Sequence, residues 1–122
     1  MERFRFKEFR VYLEAKDYCK FCKDVSRSHI ERFDKSLSDQ TERVLISIVL
    51  NIAEGSADLS DAEFARFMGI SIRSVYETVA AFDVAALYGY IGGALNKDIE
   101  DRAHALVKQP ASFRNKLKGN FP

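Results

Sequence analysis

The chain predicts an all-α fold, an antiparallel up-down-up-down bundle of four helices. Three observations carry that reading. Apolar residues recur at helical spacing in four segments, the connections between them are short, and no segment shows the two-residue alternation of a half-buried strand. The 122 residues are read as a single domain, 1–122, long enough to bury roughly two-thirds of the unfolded surface.

Helix one is expected from about Lys7 to Ser28, with Val11, Ala15, Tyr18, Cys22 and Val25 on one face and Tyr12 and Cys19 widening it. A polar connector, Ser28 to Ser36, follows, with Ile30 and Phe33 as apolar plugs beneath it. Helix two is expected from Leu37 to Glu54, and Gly55 sits where a left-handed C-terminal residue belongs. Ser60-x-x-Glu63 has the form of a capping box and opens helix three, which runs to about Tyr88. Phe64, Phe67, Ser71, Val75, Val79, Phe82 and Ala86 lie along one of its sides, and Gly89 and Gly92-Gly93 end it. Asn96 is placed to cap helix four, whose stripe is Ile99, Ala103, Leu106, Pro110, Phe113 and Leu117. Pro110 removes a backbone donor, so a kink or interruption is expected there.

Val44 to Ala53 is apolar everywhere except Ser47 and Asn51. At 3.6 residues per turn, Arg43, Ser47, Asn51 and Glu54 form one polar stripe on an otherwise oily helix. Such a helix must be surrounded. Its stripe is either a satisfied internal network or faces a subunit seam or a site, and Ser74 and Glu77 on helix three are its expected partners.

Net charge is +1, so no whole-molecule field announces nucleic acid or membrane. The bundle topology nevertheless gathers Arg3, Arg5, Lys7 and Arg10 at the same end as Arg114, Lys116 and Lys118, and no acidic side chain follows Lys108. Glu2, Glu8, Asp58 and Asp61 dilute that end. Charged termini are as readily just solvated. Cys19 and Cys22 are three apart, but no second pair exists and neither His29 nor His104 has ligand spacing, so they read as core residues. Reduced thiols suit a cytoplasmic protein. No apolar h-region follows the first residues and no apolar stretch approaches about 20 residues, so neither a signal peptide nor a membrane span is expected.

Catalytic patterns fail on inspection. Bundle di-iron sites need Glu-x-x-His on two helices, and neither histidine follows a glutamate by three. A helical ribonuclease needs an arginine a turn or more before its histidine, whereas Arg27 and Arg102 precede theirs by two. There is no phosphate-binding glycine loop of Walker form and no nucleophile–base arrangement. Glu54 and Glu77 are carboxylates that helices two and three can bring together, with Arg43, Arg73 and Ser74 at hand for an ion-pair and hydrogen-bond network.

Phe9-Arg10-Val11-Tyr12 with Ala15 resembles the opening of the four-helix-bundle proteins encoded in bacterial 23S rRNA intervening sequences. Arg43, Ser47-Ile48 and Asn51-Ile52-Ala53-Glu54-Gly55 resemble that family's helix two. Phe64, Phe67, Ser74-x-x-Glu77 and Leu87-Tyr88-Gly89-Tyr90 resemble its helix three. The similarity spans about Phe6 to Ile91; Tyr12 and Val49 stand where the family usually has tryptophan and often has proline. The resemblance implies a small cytoplasmic bundle without known catalytic activity, assembling as a ring-shaped homopentamer. A more distant similarity, to the accessory variability determinant of diversity-generating retroelements, implies a reverse transcriptase and nucleic acid as partners.

Two functions from different classes follow. The first is a non-enzymatic oligomer, with no cofactor and no metal, binding RNA or other nucleic acid through basic bundle ends: Arg3, Arg5, Lys7, Arg10, Arg114, Lys116 and Lys118. The second is a protein–protein scaffold or accessory subunit. Basic groups clustered and unpaired favour the first; basic groups laced with Glu2, Glu8 and Asp61 favour the second.

Overall fold

A computed structural model describes residues 3–57 and 60–119, with side chains as far as Gln109. Four α-helices and no strand are present among the described residues: α1 Arg10–Val25, α2 Lys35–Gly55, α3 Asp61–Leu87 and α4 Gly93–Gly119. A 3-10 turn, Arg5–Glu8, precedes α1, and one π-type turn, Ser26–Ile30, prolongs it toward the connector.

Helix one buries the face its periodicity prescribes: Val11, Ala15, Tyr18, Cys22 and Val25 are all in the core. Its sequence-expected start at Lys7 gives way to the 3-10 turn, with extended Phe9 as the joint. Ile30 plugs the connector and is wholly buried, whereas Phe33 stays 60% exposed. On α2 the Asp34 carboxylate accepts from the Leu37 amide at 3.0 Å, satisfying an orphan donor of the first turn. At α3 the Ser60 hydroxyl accepts from the Glu63 amide at 3.2 Å. Glu63 pairs with Arg66 at 3.0 Å, and Ser60 is the half of the capping box that forms.

Gly55 corrects its expected role. The only positive-φ glycine among the described residues is Gly89, at φ 80°, which reverses the chain after α3. Gly55 remains helical, and a Cβ there would lie 2.7 Å from Phe67 Cβ and 2.9 Å from Phe64 Cδ1. Close approach of α2 to α3 demands the glycine, not an unusual backbone. Helix four also departs from expectation. It starts at Gly93 and continues helically past Pro110 to Gly119, while the Asn96 side chain donates to Asp83 of α3 at 3.1 Å.

The register between α2 and α3 runs antiparallel: Gln40 meets Glu77, Ser47 meets Ser74, and Gly55 meets Phe64. Between α1 and α2, Cys19 meets Leu45 and Ser26 meets Ser38. At the end opposite the 3-10 turn, the Tyr90 ring stacks on Phe33 with centroids 5.9 Å apart and planes 5° apart. Its hydroxyl donates to Asp34 at 3.3 Å, so the carboxylate that caps α2 also fastens the α3–α4 turn.

Candidate functional site

The 3-10 turn places the N-terminal basic residues. Arg5 is committed to holding that turn down: its guanidinium lies 5.8 and 5.9 Å from the Phe9 and Phe64 ring centroids and donates to the Ser56 carbonyl at 3.4 Å. Phe9 and Phe64 stack beneath it at 5.9 Å. Arg3 and Lys7 are exposed, and neither has a carboxylate partner among the described residues. Arg10 reaches Glu14 only at 3.5 Å, with its own side chain 83% exposed, a pair of little energetic weight. Glu8 and Asp61, both exposed, engage none of these cations. Arg114, Lys116 and Lys118 lie on α4, and their side chains fall outside the described residues.

Aromatic rings run through this basic segment. Phe4 is 62% exposed. It makes an edge contact with Phe6 at 6.3 Å, Phe6 contacts Tyr12 at 4.8 Å, and the Lys16 ammonium sits 5.0 Å from the Tyr12 centroid.

The helix-two stripe divides into separate parts. Ser47 and Ser74 hydroxyls lie 2.7 Å apart across α2 and α3, with the Val44 and Ile70 carbonyls as further acceptors at 2.7 and 3.2 Å. Two hydroxyl protons therefore serve three contacts. Asn51 turns back on its own helix, donating to the Ser47 carbonyl at 2.7 Å. Arg43 donates to Gln40 at 2.7 Å, and Gln40 donates to Glu77 at 3.3 Å, a relay on the exposed edge of the seam. Glu54 is exposed, and its side chain makes no hydrogen bond among the described residues. It does not meet Glu77, because Gln40 is opposite Glu77 and Glu54 lies about 21 Å further along the helix at 1.5 Å per residue.

The deeper polar contacts fall elsewhere. Tyr18 and Thr78 hydroxyls are 2.9 Å apart, Ser26 and Ser38 2.7 Å apart, and Ser71 donates to the Ile48 carbonyl at 2.9 Å, all fully buried. Sequence reasoning missed the first two pairs; a hydroxyl standing at a core-facing helical position was the available signal.

Between α1 and α2 runs a groove of about 670 Å³, with Leu45, Ile46, Val49 and Leu50 along it and Lys16, Lys20, Lys23 and Arg43 at its rim. Its two acids are engaged outward, Asp39 by Lys35 at 2.6 Å and Glu42 by Arg27 at 3.1 Å. Ile46 and Leu50 are 57% and 51% exposed, so the oily helix is not surrounded within one chain.

Burial pushes the Cys19 and Cys22 thiols up to about 12, which keeps both protonated and non-nucleophilic near neutrality. The Cys19 thiol donates to the Leu45 carbonyl at 2.9 Å. Among the described residues no three metal-ligating side chains converge, and no helix is long and apolar enough to cross a membrane.

The model of one protein family, the 23S rRNA-intervening sequence proteins, matches residues 7–111. The chain belongs to that family. The match takes in α1, α2, α3 and the described side chains of α4, and so covers every element that builds the groove and the serine seam. It begins at Lys7, inside the 3-10 turn, which leaves Arg3 and Phe4 as residues of this intervening-sequence protein outside the shared pattern. No curated protein matches the chain.

Proposed function

We propose that this 23S rRNA-intervening sequence protein is a non-catalytic bundle that assembles with copies of itself and engages RNA or other nucleic acid through its basic end. The observation that carries the nucleic-acid reading is the state of Arg3 and Lys7, exposed on a turn pinned by Arg5 and free of carboxylate partners among the described residues. Arg10 adds a third weakly paired cation, and the up-down topology read from the sequence brings Arg114, Lys116 and Lys118 of α4 to the same end. One copy offers few phosphate contacts. An assembly multiplies them, because linked sites raise effective concentration. Binding of this kind is steeply salt-dependent and reads little sequence.

Assembly is supported by the outer face of α2. Ile46 and Leu50 border a groove with a cationic rim, and leaving an aliphatic side chain exposed forgoes about 1.5–3 kcal/mol of burial. A ring of five copies is the form the family resemblance implies. The same groove supports the second reading, a scaffold or accessory subunit whose partner is another protein.

A salt titration against labelled structured RNA and matched duplex DNA, with mass measured by light scattering, tests the proposal. A multimeric mass, with log affinity falling linearly against log salt, is expected. A multimer that binds neither probe at low salt overturns the nucleic-acid reading in favour of the scaffold. A monomeric mass overturns the assembly.

A further inference from the structure

We infer that the basic end accepts single-stranded nucleic acid in preference to duplex, with an unpaired base stacked on Phe4. The inference rests on the nucleic-acid reading above and deepens it.

Phe4 is the observation that demands an account. It is the most exposed phenylalanine side chain of the described residues, at 62%, in a chain that buries Phe64 and Phe82 almost completely. Among the described residues its one ring contact, to Phe6, is edge-to-face at 6.3 Å and 65°, which leaves at least one face of the Phe4 ring clear of their rings. Arg3 and Arg5 flank it in sequence and Lys7 follows. Arg5 packs against Phe9 and Phe64, and the Phe4 carbonyl accepts from the Lys7 amide at 3.1 Å, so side-chain and backbone contacts together tie the segment down.

The charge of the same segment suits a phosphate backbone. Residues 3–16 carry five cations, Arg3, Arg5, Lys7, Arg10 and Lys16, against two carboxylates, Glu8 and Glu14, since Asp17 lies beyond. Of the five, Arg5 is spent on its anchor and Lys16 lies over Tyr12, whose ring continues the line Phe4–Phe6–Tyr12. Cations interleaved with rings are what a single strand needs: phosphates meet the charge, and bases meet π-faces, at about 1–3 kcal/mol per stacked base. A duplex hides its base faces in its own stack, so it gains the charge contacts alone. An exposed aliphatic surface, by contrast, offers a base nothing specific, which separates this end from the Ile46–Leu50 groove.

The test compares four probes by fluorescence anisotropy in low salt: labelled oligouridylate and oligoadenylate of about 12 nucleotides, an abasic strand of equal phosphate number, and a matched RNA duplex. Both base-bearing strands are expected to bind more tightly than the abasic strand and the duplex. Phe4→Ala and Phe4→Leu are expected to weaken binding of the base-bearing strands roughly 5- to 150-fold, the equivalent of one stacked base, while leaving the abasic strand unchanged. Phe4→Trp is expected to restore binding. Because Phe4 is exposed, circular dichroism of all three variants is expected to match the parent. Equal affinity for base-bearing and abasic strands overturns the stacking inference and leaves the basic-end reading standing, as does a preference for duplex. Absence of binding to every probe overturns both.

Discussion

Ile48 and Leu50 stand two positions apart on α2 and differ by the placement of one methyl group, yet Ile48 is 1% exposed and Leu50 51%. The inner face, with Leu45, Ile48 and Ile52, packs into the core, while the outer face, with Ile46 and Leu50, opens on a groove. Side-chain hydrophobicity is nearly the same on both faces. What differs is whether the chain supplies a neighbour. Burial is therefore a property of the partner surface as much as of the residue, and an unpartnered oily face on a packed bundle is a request for a second surface.

The contrast can be broken most severely from the inside. Ile48→Ala removes fully buried methyl groups and leaves a cavity, and is expected to cost about 2–5 kcal/mol in urea unfolding. A loss below about 1 kcal/mol would erase the distinction between the faces. Gly55→Ala comes next, at about 1–3 kcal/mol from overpacking against Phe67 Cβ, with the melting temperature falling by about 4 °C per kcal/mol. An unchanged melting temperature in that variant would show that α2 is not tightly seated on α3.

Alkaline pH probes the same interior. Cys19 and Cys22 rise from 9.0 to about 12 because burial disfavours the thiolate, and burial also raises the Tyr18 phenol. Their folded-state values exceed the unfolded ones, so this stability is intact below pH 9 and drains as pH rises toward 12. The loss between pH 9 and 10 is expected to be about 1 kcal/mol for each thiol, and Cys22→Ala should flatten the decline. Smallest in stability is Leu50→Lys on the outer face, expected within about 0.5 kcal/mol of the parent once dissociated. Its effect is on mass: light scattering should show smaller particles. A parent and variant of identical mass would mean the outer face covers nothing.

Much of the inner face was legible in the sequence. The five core positions of α1 follow from the 3.6 period alone, because a helix has one inward stripe and Val11, Ala15, Tyr18, Cys22 and Val25 fill it. Four helices, their order and the Asn51–Gly55 family motif were equally readable. Gly55 was misread because its constraint comes from Phe64 and Phe67, on another helix, and no local pattern announces a tertiary approach. The buried hydroxyls of Ser38, Thr41 and Thr78 were passed over because a periodic reading counts them as polar, while the Ser26 hydroxyl, the Leu37 carbonyl and the distant Tyr18 respectively satisfy them. At the candidate interface, Arg3 and Lys7 were identifiable by charge. The exposure of Phe4 was not, since it depends on the 3-10 turn that swings the segment off the helix axis.

At the far end, Asp34 links two turns whose members, Asp34 and Tyr90, are 56 residues apart. Closing a loop of that length in a disordered chain costs about 3–4 kcal/mol of entropy, more than one hydrogen bond and one ring stack return. The link becomes favourable only after α2 and α3 have folded back on each other and shortened the path between its ends. Tyr90 is thus expected to close late in folding, as a latch on a hairpin already made. Its removal is expected to hasten unfolding while leaving the folding rate nearly untouched.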